Sequence, residues 1–398
     1  MRLLYISSAP EDLDFINKFS KIFRHITCVH SSLYSFCNKY KLDFQTADHN
    51  LCFCRDELPK ERLNSDLNSL AKFNLEAKLL YPDEVLRNAS GFYKTIERKI
   101  SDNKYDLAII PSGRMLSQKI MRELCLKYQV PMLFLGYGNY PGKTFLDDLG
   151  TDFSSSLSGS NINEYSDENV AHWAENYLSH KLSNPIPPQA KNIFKKKIQR
   201  VLRFLLCKFE RFFYLSHDTN YKLGQVLRFI LATTPKLTFE DIDLSNTDYI
   251  FYPCQLSSDA QLILNAELGN LEAVRVASRI SLSKGKQLVV KFHPAETDKS
   301  ELKEIIKLKE ELNFIISNQN TYEILKYSSE VVTINSTIGI EALAIGKEVT
   351  VLGNAIYKNW NSKQAIQYFE TVLFNIDYFS REKIDNKVWS QIVKRFQL

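Results

Sequence analysis

No run of apolar residues in this sequence approaches the roughly 20 that a membrane-spanning helix requires. The opening stretch, Met1 to Ser8, is also too short in apolar residues to act as a signal peptide. Both absences lead to the expectation of a protein kept in the cytoplasm, at most at the inner face of its membrane. No G-x-G-x-x-G follows the first apolar segment, which disfavours a dinucleotide cofactor. The seven cysteines (28, 37, 52, 54, 125, 207 and 254) are odd in number and scattered, which argues against a disulfide framework and for a reducing compartment. Cys52-x-Cys54 lacks the second Cys/His pair of a zinc site. Internal repeats and low-complexity segments are missing, and no nucleic-acid-binding motif accompanies the basic residues.

What is present is an ordinary globular composition, 44% apolar and 24% charged, on 398 residues, enough for two domains. Strand and helix patterns alternate. Arg2-Leu3-Leu4-Tyr5-Ile6 reads as a buried strand, followed by a helix through Phe15, Phe19 and Phe23. A long helical region is expected over about 59–100, then strand 105–110, helix 116–128 and strand 130–135. A loop with Pro141, Thr144, Asp147 and Asp148 leaves that last strand. For Asp147-Asp148 a turn or cap is the preferred reading, because no further ligand completes a cation's shell. Asn184-Pro185-Ile186-Pro187-Pro188 is a stiff linker that suits a domain boundary. The expected division is an N-terminal Rossmann-like domain over 1–185, a linker and basic helix over 186–214, a second domain over 215–375, and a C-terminal helix within 376–398 that packs back on the first.

Within 191–213, Lys191, Lys195, Lys196, Lys197, Arg200, Arg203, Lys208 and Arg211 are interleaved with Ile198, Val201, Leu202, Leu205, Leu206, Phe209 and Phe212. Such a helix can lie on an anionic membrane or pack as a core helix with a solvated basic face. In the second domain, three apolar runs each end in a polar turn: Gln255 to Gln261, His293 to Glu296, and Asn335 to Glu341. In an open parallel sheet these turns fall on one edge, the carboxyl end, where ligands bind. There they supply a carboxylate, an imidazole, hydroxyls and a helix N-terminus fit for a phosphate.

The residues of these turns resemble a family. Tyr252-Pro253-Cys254-Gln255-Leu256-Ser257-Ser258-Asp259-Ala260-Gln261, Lys291-Phe292-His293-Pro294-Ala295-Glu296, and Asn335-Ser336-Thr337-Ile338-Gly339-Ile340-Glu341-Ala342-Leu343 with Gly353 and Tyr357 resemble segments of the bacterial capsule-polysaccharide synthesis proteins. Those are retaining β-Kdo (3-deoxy-D-manno-oct-2-ulosonic acid) transferases that use CMP-β-Kdo. The resemblance covers 249–360 well and the N-terminal half loosely. The 141–150 loop is a fainter match, with Gly136 where the family tends to be acidic.

The resemblance implies a GT-B-like α/β fold, two Rossmann-like domains facing a central cleft. It implies Asp259 as nucleophile at the anomeric carbon and His293 as partner of the departing phosphate. Gln255, Lys291, Pro294, Ser336, Thr337 and Glu341 would hold the nucleotide sugar, Glu341 through the ribose hydroxyls. Pro141, Thr144 and Asp147 would form an acceptor-side loop. It implies no metal and no cofactor beyond the CMP-Kdo donor, a surface-polysaccharide or glycolipid acceptor, and no nucleic acid. Related His-Pro elements occur in sialyltransferases using CMP-sugars and in polymerases using CDP-glycerol, so another such donor is an alternative. A non-catalytic nucleotide-binding member of a glycan-assembly complex is another.

Overall fold

The computed structural model describes residues 1–55, 57–59, 66–166, 169–183, 193–224, 226–227, 239–296 and 299–398. The chain divides into two compact units, one of Met1–Ser156, Asn192–Ile230 and Leu373–Leu398, the other of Leu157–Lys191 and Leu231–Val372. The expected boundary near 185 therefore shifts. Described residues 157–166 and 169–183 pack with the second unit, and 193–224 with the first. The Asn184 to Pro188 linker and Lys191 lie outside the described residues.

The first unit is built on β1 (Arg2–Ser7), β2 (His25–His30), β3 (Thr46–Leu51), β4 (Leu107–Pro111), β5 (Met132–Tyr137) and β6 (Thr144–Asp147). Their order is β3-β2-β1-β4-β5-β6, parallel except for β6 against β5. Residues alternate between the sheet's two faces. Leu4, Ile6, Ala108 and Ile110 join one core, with Phe92 and Ile96 of helix Pro82–Asp102 and Ile120 and Leu124 of helix Leu116–Lys127. Leu3, Tyr5, Leu107 and Ile109 join the other, with Phe15, Phe19 and Phe23. The C-terminal helix Asn386–Phe396 lays Val388, Trp389, Ile392 and Phe396 on that second core. Burial on both faces makes the central strands continuously apolar. The helix expected over 59–100 is broken: described pieces are Leu67–Leu70, Lys72–Glu76 and Pro82–Asp102. Lys78 takes a positive φ of 55°, and Pro82 starts the last helix, at a position that needs no N–H.

The second unit carries β7 (Tyr249–Pro253), β8 (Gln287–Lys291), β9 (Ile315–Ile316), β10 (Glu330–Thr333) and β11 (Glu348–Val351), all parallel, in the order β11-β10-β7-β8-β9. Helices Asn270–Ser283 and Lys299–Leu312 pack on one face through Val274, Ala277, Ile305 and Leu308. Ile324 and Ala342, from helices Thr321–Tyr327 and Thr337–Ala344, pack on the other. Counted from its own first strand, this sheet repeats the 3-2-1-4-5 order of the first unit. Both units are Rossmann-like. In each, the strand order reverses beside the first strand, and in the second unit that point lies between β7 and β10.

Candidate active site

β10, β7 and β8 are neighbours, so their three outgoing turns leave the sheet side by side. Two sets of hydrogen bonds lock these turns together. The Gln255 amide donates to Asn335 Oδ1 at 2.9 Å and accepts from the Asn335 backbone N–H at 3.0 Å, bridging the turns after β7 and β10. Asn335 Nδ2 also donates to the Gln261 carbonyl at 3.0 Å. Between the turns after β7 and β8, the buried Glu296 carboxylate accepts from the Ser257 N–H at 2.7 Å and from its hydroxyl at 2.9 Å. Gln255, expected to hold the nucleotide sugar, is 5% exposed, and both its amide nitrogen and its amide oxygen are engaged by Asn335.

Asp259 caps helix Ala260–Asn265, its Oδ1 accepting from Gln261 N–H at 2.8 Å. Its second carboxylate oxygen has no hydrogen-bond partner among the described residues. His293 is exposed, and its Nδ1 accepts the Ala295 N–H at 3.1 Å. An accepting Nδ1 places the ring proton on Nε2 and aims a donor outward. Desolvation lowers the His293 pKa below its ordinary value, while the carboxylates of Asp259 and Glu296 act in the opposite sense. The imidazole is therefore neutral near pH 7, and close enough to Asp259 to feel its charge.

Ser336 caps helix Thr337–Ala344, accepting from Ile338 N–H at 3.2 Å, and Thr337 is exposed at the helix start. Tyr357, buried, donates its hydroxyl to the Ser336 carbonyl. Its ring lies on Gly339, where a Cβ would stand 2.4 Å from the Tyr357 hydroxyl. The glycine of this segment and the tyrosine that follows it thus form one packing unit.

Glu341 is 3% exposed. Its Oε1 accepts from Tyr177 Oη and from Lys181 Nζ, each at 2.8 Å. Its Oε2 is buried without a hydrogen-bond partner among the described residues. Burial alone would lower the Lys181 pKa; the Glu341 carboxylate and Tyr322 outweigh it and hold the ammonium above its ordinary value. Half of the carboxylate expected to meet ribose is thus already engaged by helix Val170–Ser183. Lys291 turns away: its Nζ donates to the Gln319 carbonyl at 2.6 Å, and desolvation lowers its pKa. Pro294 is exposed in the turn after β8.

The sequence pattern of the family described as capsule polysaccharide biosynthesis protein matches residues 136–365, more than half of the chain. The chain belongs to that family. Protein FixF of Sinorhizobium fredii is 32% identical over 150 residues, 36% of this chain and 36% of its own length, so the match spans about a third of that relative. Among solved structures, the Thermosulfurimonas dismutans KpsC β-Kdo 2,7 transferase is 14% identical, with 99% of this chain and 100% of that one covered and a TM-score of 0.43. The β-Kdo 2,4 transferase of the same KpsC is 13% identical, with 73% and 87% covered and a TM-score of 0.42.

The first-unit loop of this family member departs from expectation. Thr144 and Asp147 belong to an edge strand, β6, and not to an open loop. Thr144 is fully buried and its hydroxyl donates to the Ile376 carbonyl at 2.6 Å. Asp147, 3% exposed, accepts from the N–H groups of Leu149, Gly150 and Ser156 and from the Ser156 hydroxyl. Both side chains are buried and hydrogen-bonded within the first unit; Pro141 alone of the three is exposed. Sequence reading missed Tyr177 and Lys181. Their spacing of four on one helix face was visible, but a partner emerges only when the helix is placed. It also missed Asp12, beside the first unit's own strand reversal, which accepts from the N–H groups of Ser8 and Ala9 and is pushed up by burial to about 6.

One further group of ligand-type side chains occurs among the described residues, Cys28, His30 and His49 on β2 and β3. Hydrogen bonds account for the histidines, since His30 Nδ1 meets Ser35 Oγ at 2.8 Å and Nε2 meets His49 Nδ1 at 3.1 Å. The positive charge of Lys39, felt by both rings, works against a cation there.

Proposed function

We propose that the second unit binds CMP-β-Kdo at the edge formed by β10, β7 and β8, and that the protein transfers Kdo to a surface-polysaccharide or glycolipid acceptor with retention. The observation that carries this reading is the pair of clamps, Gln255 with Asn335 and Ser257 with Glu296, which makes one rigid frame of the three turns bearing Asp259, His293 and Ser336.

In this reading the start of helix Thr337–Ala344, with the Ser336 and Thr337 hydroxyls, holds the CMP phosphate. The unpaired oxygen of Asp259 attacks C2 of Kdo while the C2–O bond to phosphate breaks and CMP departs with the bonding pair. His293 Nε2–H donates to the phosphate oxygen as negative charge grows there, so no metal is required for that neutralisation. The acceptor hydroxyl then attacks C2 from the opposite face, loses its proton to water and releases Asp259. Two inversions give retention. Glu341 Oε2, a buried acceptor lacking a donor among the described residues, is where a ribose hydroxyl is satisfied. Gln255 and Lys181 are positioning residues, one for the frame and one for Glu341.

Incubation with CMP-Kdo generated in situ, other CMP-sugars and CDP-glycerol, with lipid-linked acceptors and mass analysis of products, tests the reading. Transfer from CMP-Kdo alone is expected. Asp259→Ala is expected to abolish it while CMP affinity and the folded spectrum persist. Unchanged turnover in that variant removes the nucleophile assignment, and CMP binding without turnover of any donor favours the non-catalytic alternative.

A further inference from the structure

An amphipathic helix on a globular protein normally turns its apolar stripe inward. Helix Ile193–Phe212 does the reverse. Ile198, Leu202, Leu205, Phe209 and Phe212 recur at spacings of four and three and so form one stripe, and they are 43% to 75% exposed. Phe213 and Tyr214 prolong the stripe, each about half exposed. The side that faces the first unit is polar. Arg203 donates to the Ser8 carbonyl at 3.0 Å and lies over the Tyr34 ring, Cys207 meets the Thr219 carbonyl at 3.2 Å, and Glu210 accepts from Leu33 N–H at 2.5 Å. Of the two sequence readings, a helix lying on an anionic membrane and a core helix with a solvated basic face, the second does not fit this arrangement, because the inward hydrogen bonds are made by polar groups.

Charge on this helix is one-sided as well. It holds seven basic residues and one acidic residue, while the whole chain carries a net charge of +5. The acidic one, Glu210, is 1% exposed and points inward. Lys208 and Arg211 are exposed beside the apolar stripe. A contiguous apolar stripe left in water marks an interaction surface. Arg211 lies 3.8 Å from the buried Glu84 carboxylate, yet with seven basic residues to one acidic the helix as a whole fits an anionic partner.

We infer that this helix docks the protein on an anionic lipid bilayer, its phenylalanines and leucines in the headgroup boundary and its basic groups on the lipid phosphates. A second copy of the chain is the poorer occupant, since face-to-face pairing would set two basic rims against each other. The helix lies on the bilayer, in keeping with the finding that no helix among the described residues is long and apolar enough to cross one. This inference stands apart from the transfer reading, and failure of either leaves the other intact.

The full-length chain is sedimented with vesicles of phosphatidylglycerol and phosphatidylethanolamine, and with vesicles of phosphatidylcholine alone. Binding is expected to the anionic vesicles only, and to weaken between 0.1 and 1 M salt as the screening length falls from about 10 to about 3 Å. Phe209→Ser/Phe212→Ser is expected to lower the partition coefficient at least about tenfold. Lys208→Glu is expected to lower it about fivefold or more. Thermal stability and CMP affinity are expected to hold in both variants, because the changed side chains are exposed. Three results would overturn the inference: no binding to anionic vesicles, equal binding to neutral ones, or variants that bind like the parent. A dimer that Phe209→Ser/Phe212→Ser dissolves, with no vesicle binding by the parent, would overturn it too and assign the stripe to a second copy.

Discussion

Replacing Gly339 by alanine probes the junction that sets the phosphate end of the site. Glycine to alanine inside a helix ordinarily stabilises by about 0.5 to 1 kcal/mol. Here the added Cβ would stand 2.4, 2.7 and 2.8 Å from Oη, Cε2 and Cζ of Tyr357. The ring is 4% exposed and tethered to the Ser336 carbonyl, so it has little room to yield. Overpacking of this kind costs about 1 to 3 kcal/mol, and loss of the hydrogen bond about 1 more. A net loss of about 2 to 3 kcal/mol follows. In a Tyr357→Ala background the obstacle is gone, and Gly339→Ala is expected to be neutral or stabilising by up to about 1 kcal/mol. The cycle therefore predicts a coupling of about 2 to 4 kcal/mol. Trp173 and Trp360 lie in the second unit and Trp389 in the first, so urea unfolding followed by fluorescence in a Trp389→Phe background reads the second unit. CMP titration should fall in parallel, because Ser336 moves with Tyr357. Gly339→Ala that stabilises the parent, or single effects that simply add, would refute the reasoning.

Two further outcomes are expected. Lys181→Met leaves the Glu341 carboxylate buried without its counter-charge and should cost about 3 to 5 kcal/mol of second-unit stability, with weaker donor binding; a loss under about 1 kcal/mol in urea unfolding would contradict the pairing. In the first unit, burial, the His49 ring and Lys39 lower the His30 pKa from 6.5 to about 3. A depressed folded-state pKa gives stability that is complete above pH 6.5 and is lost as the pH falls towards 3, amounting to about 2 kcal/mol at pH 5. His30→Gln should flatten the fall in melting temperature between pH 7 and 5, and an equal slope in both proteins would argue against this origin.

The second unit is more legible in the sequence than the first because β7, β8 and β10 each have an apolar, buried centre and run out into a polar turn. The three apolar runs that the sequence ends in polar turns at 255–261, 293–296 and 335–341 are β7, β8 and β10. β2 and β3 went unread, for His25 and His30 border the one and Thr46-Ala47-Asp48-His49-Asn50 makes the other polar, as suits an edge strand. Side-chain direction was the harder matter. Spacing puts Gln255 and Lys291 at strand ends and Glu341 in the helix after β10, but whether an amide meets a ligand or a neighbouring turn depends on which strands are adjacent. The same holds for Thr144 and Asp147, whose partners Ile376 and Ser156 are set by a sheet edge that the local pattern does not announce. Inverted amphipathicity over 193–212 has no local signature, since the periodicity of a helix is the same whichever face turns inward.

The central claim is that Asp259 forms the bond to the sugar, and trapping that bond tests it most directly. The protein is to be mixed with CMP-Kdo in the absence of acceptor, quenched in acid, digested and analysed by peptide mass spectrometry. The account predicts a Kdo adduct on the peptide containing Asp259, absent from Asp259→Ala and discharged when acceptor is added before the quench. An adduct on another residue, or a product of inverted anomeric configuration with no adduct, would contradict it.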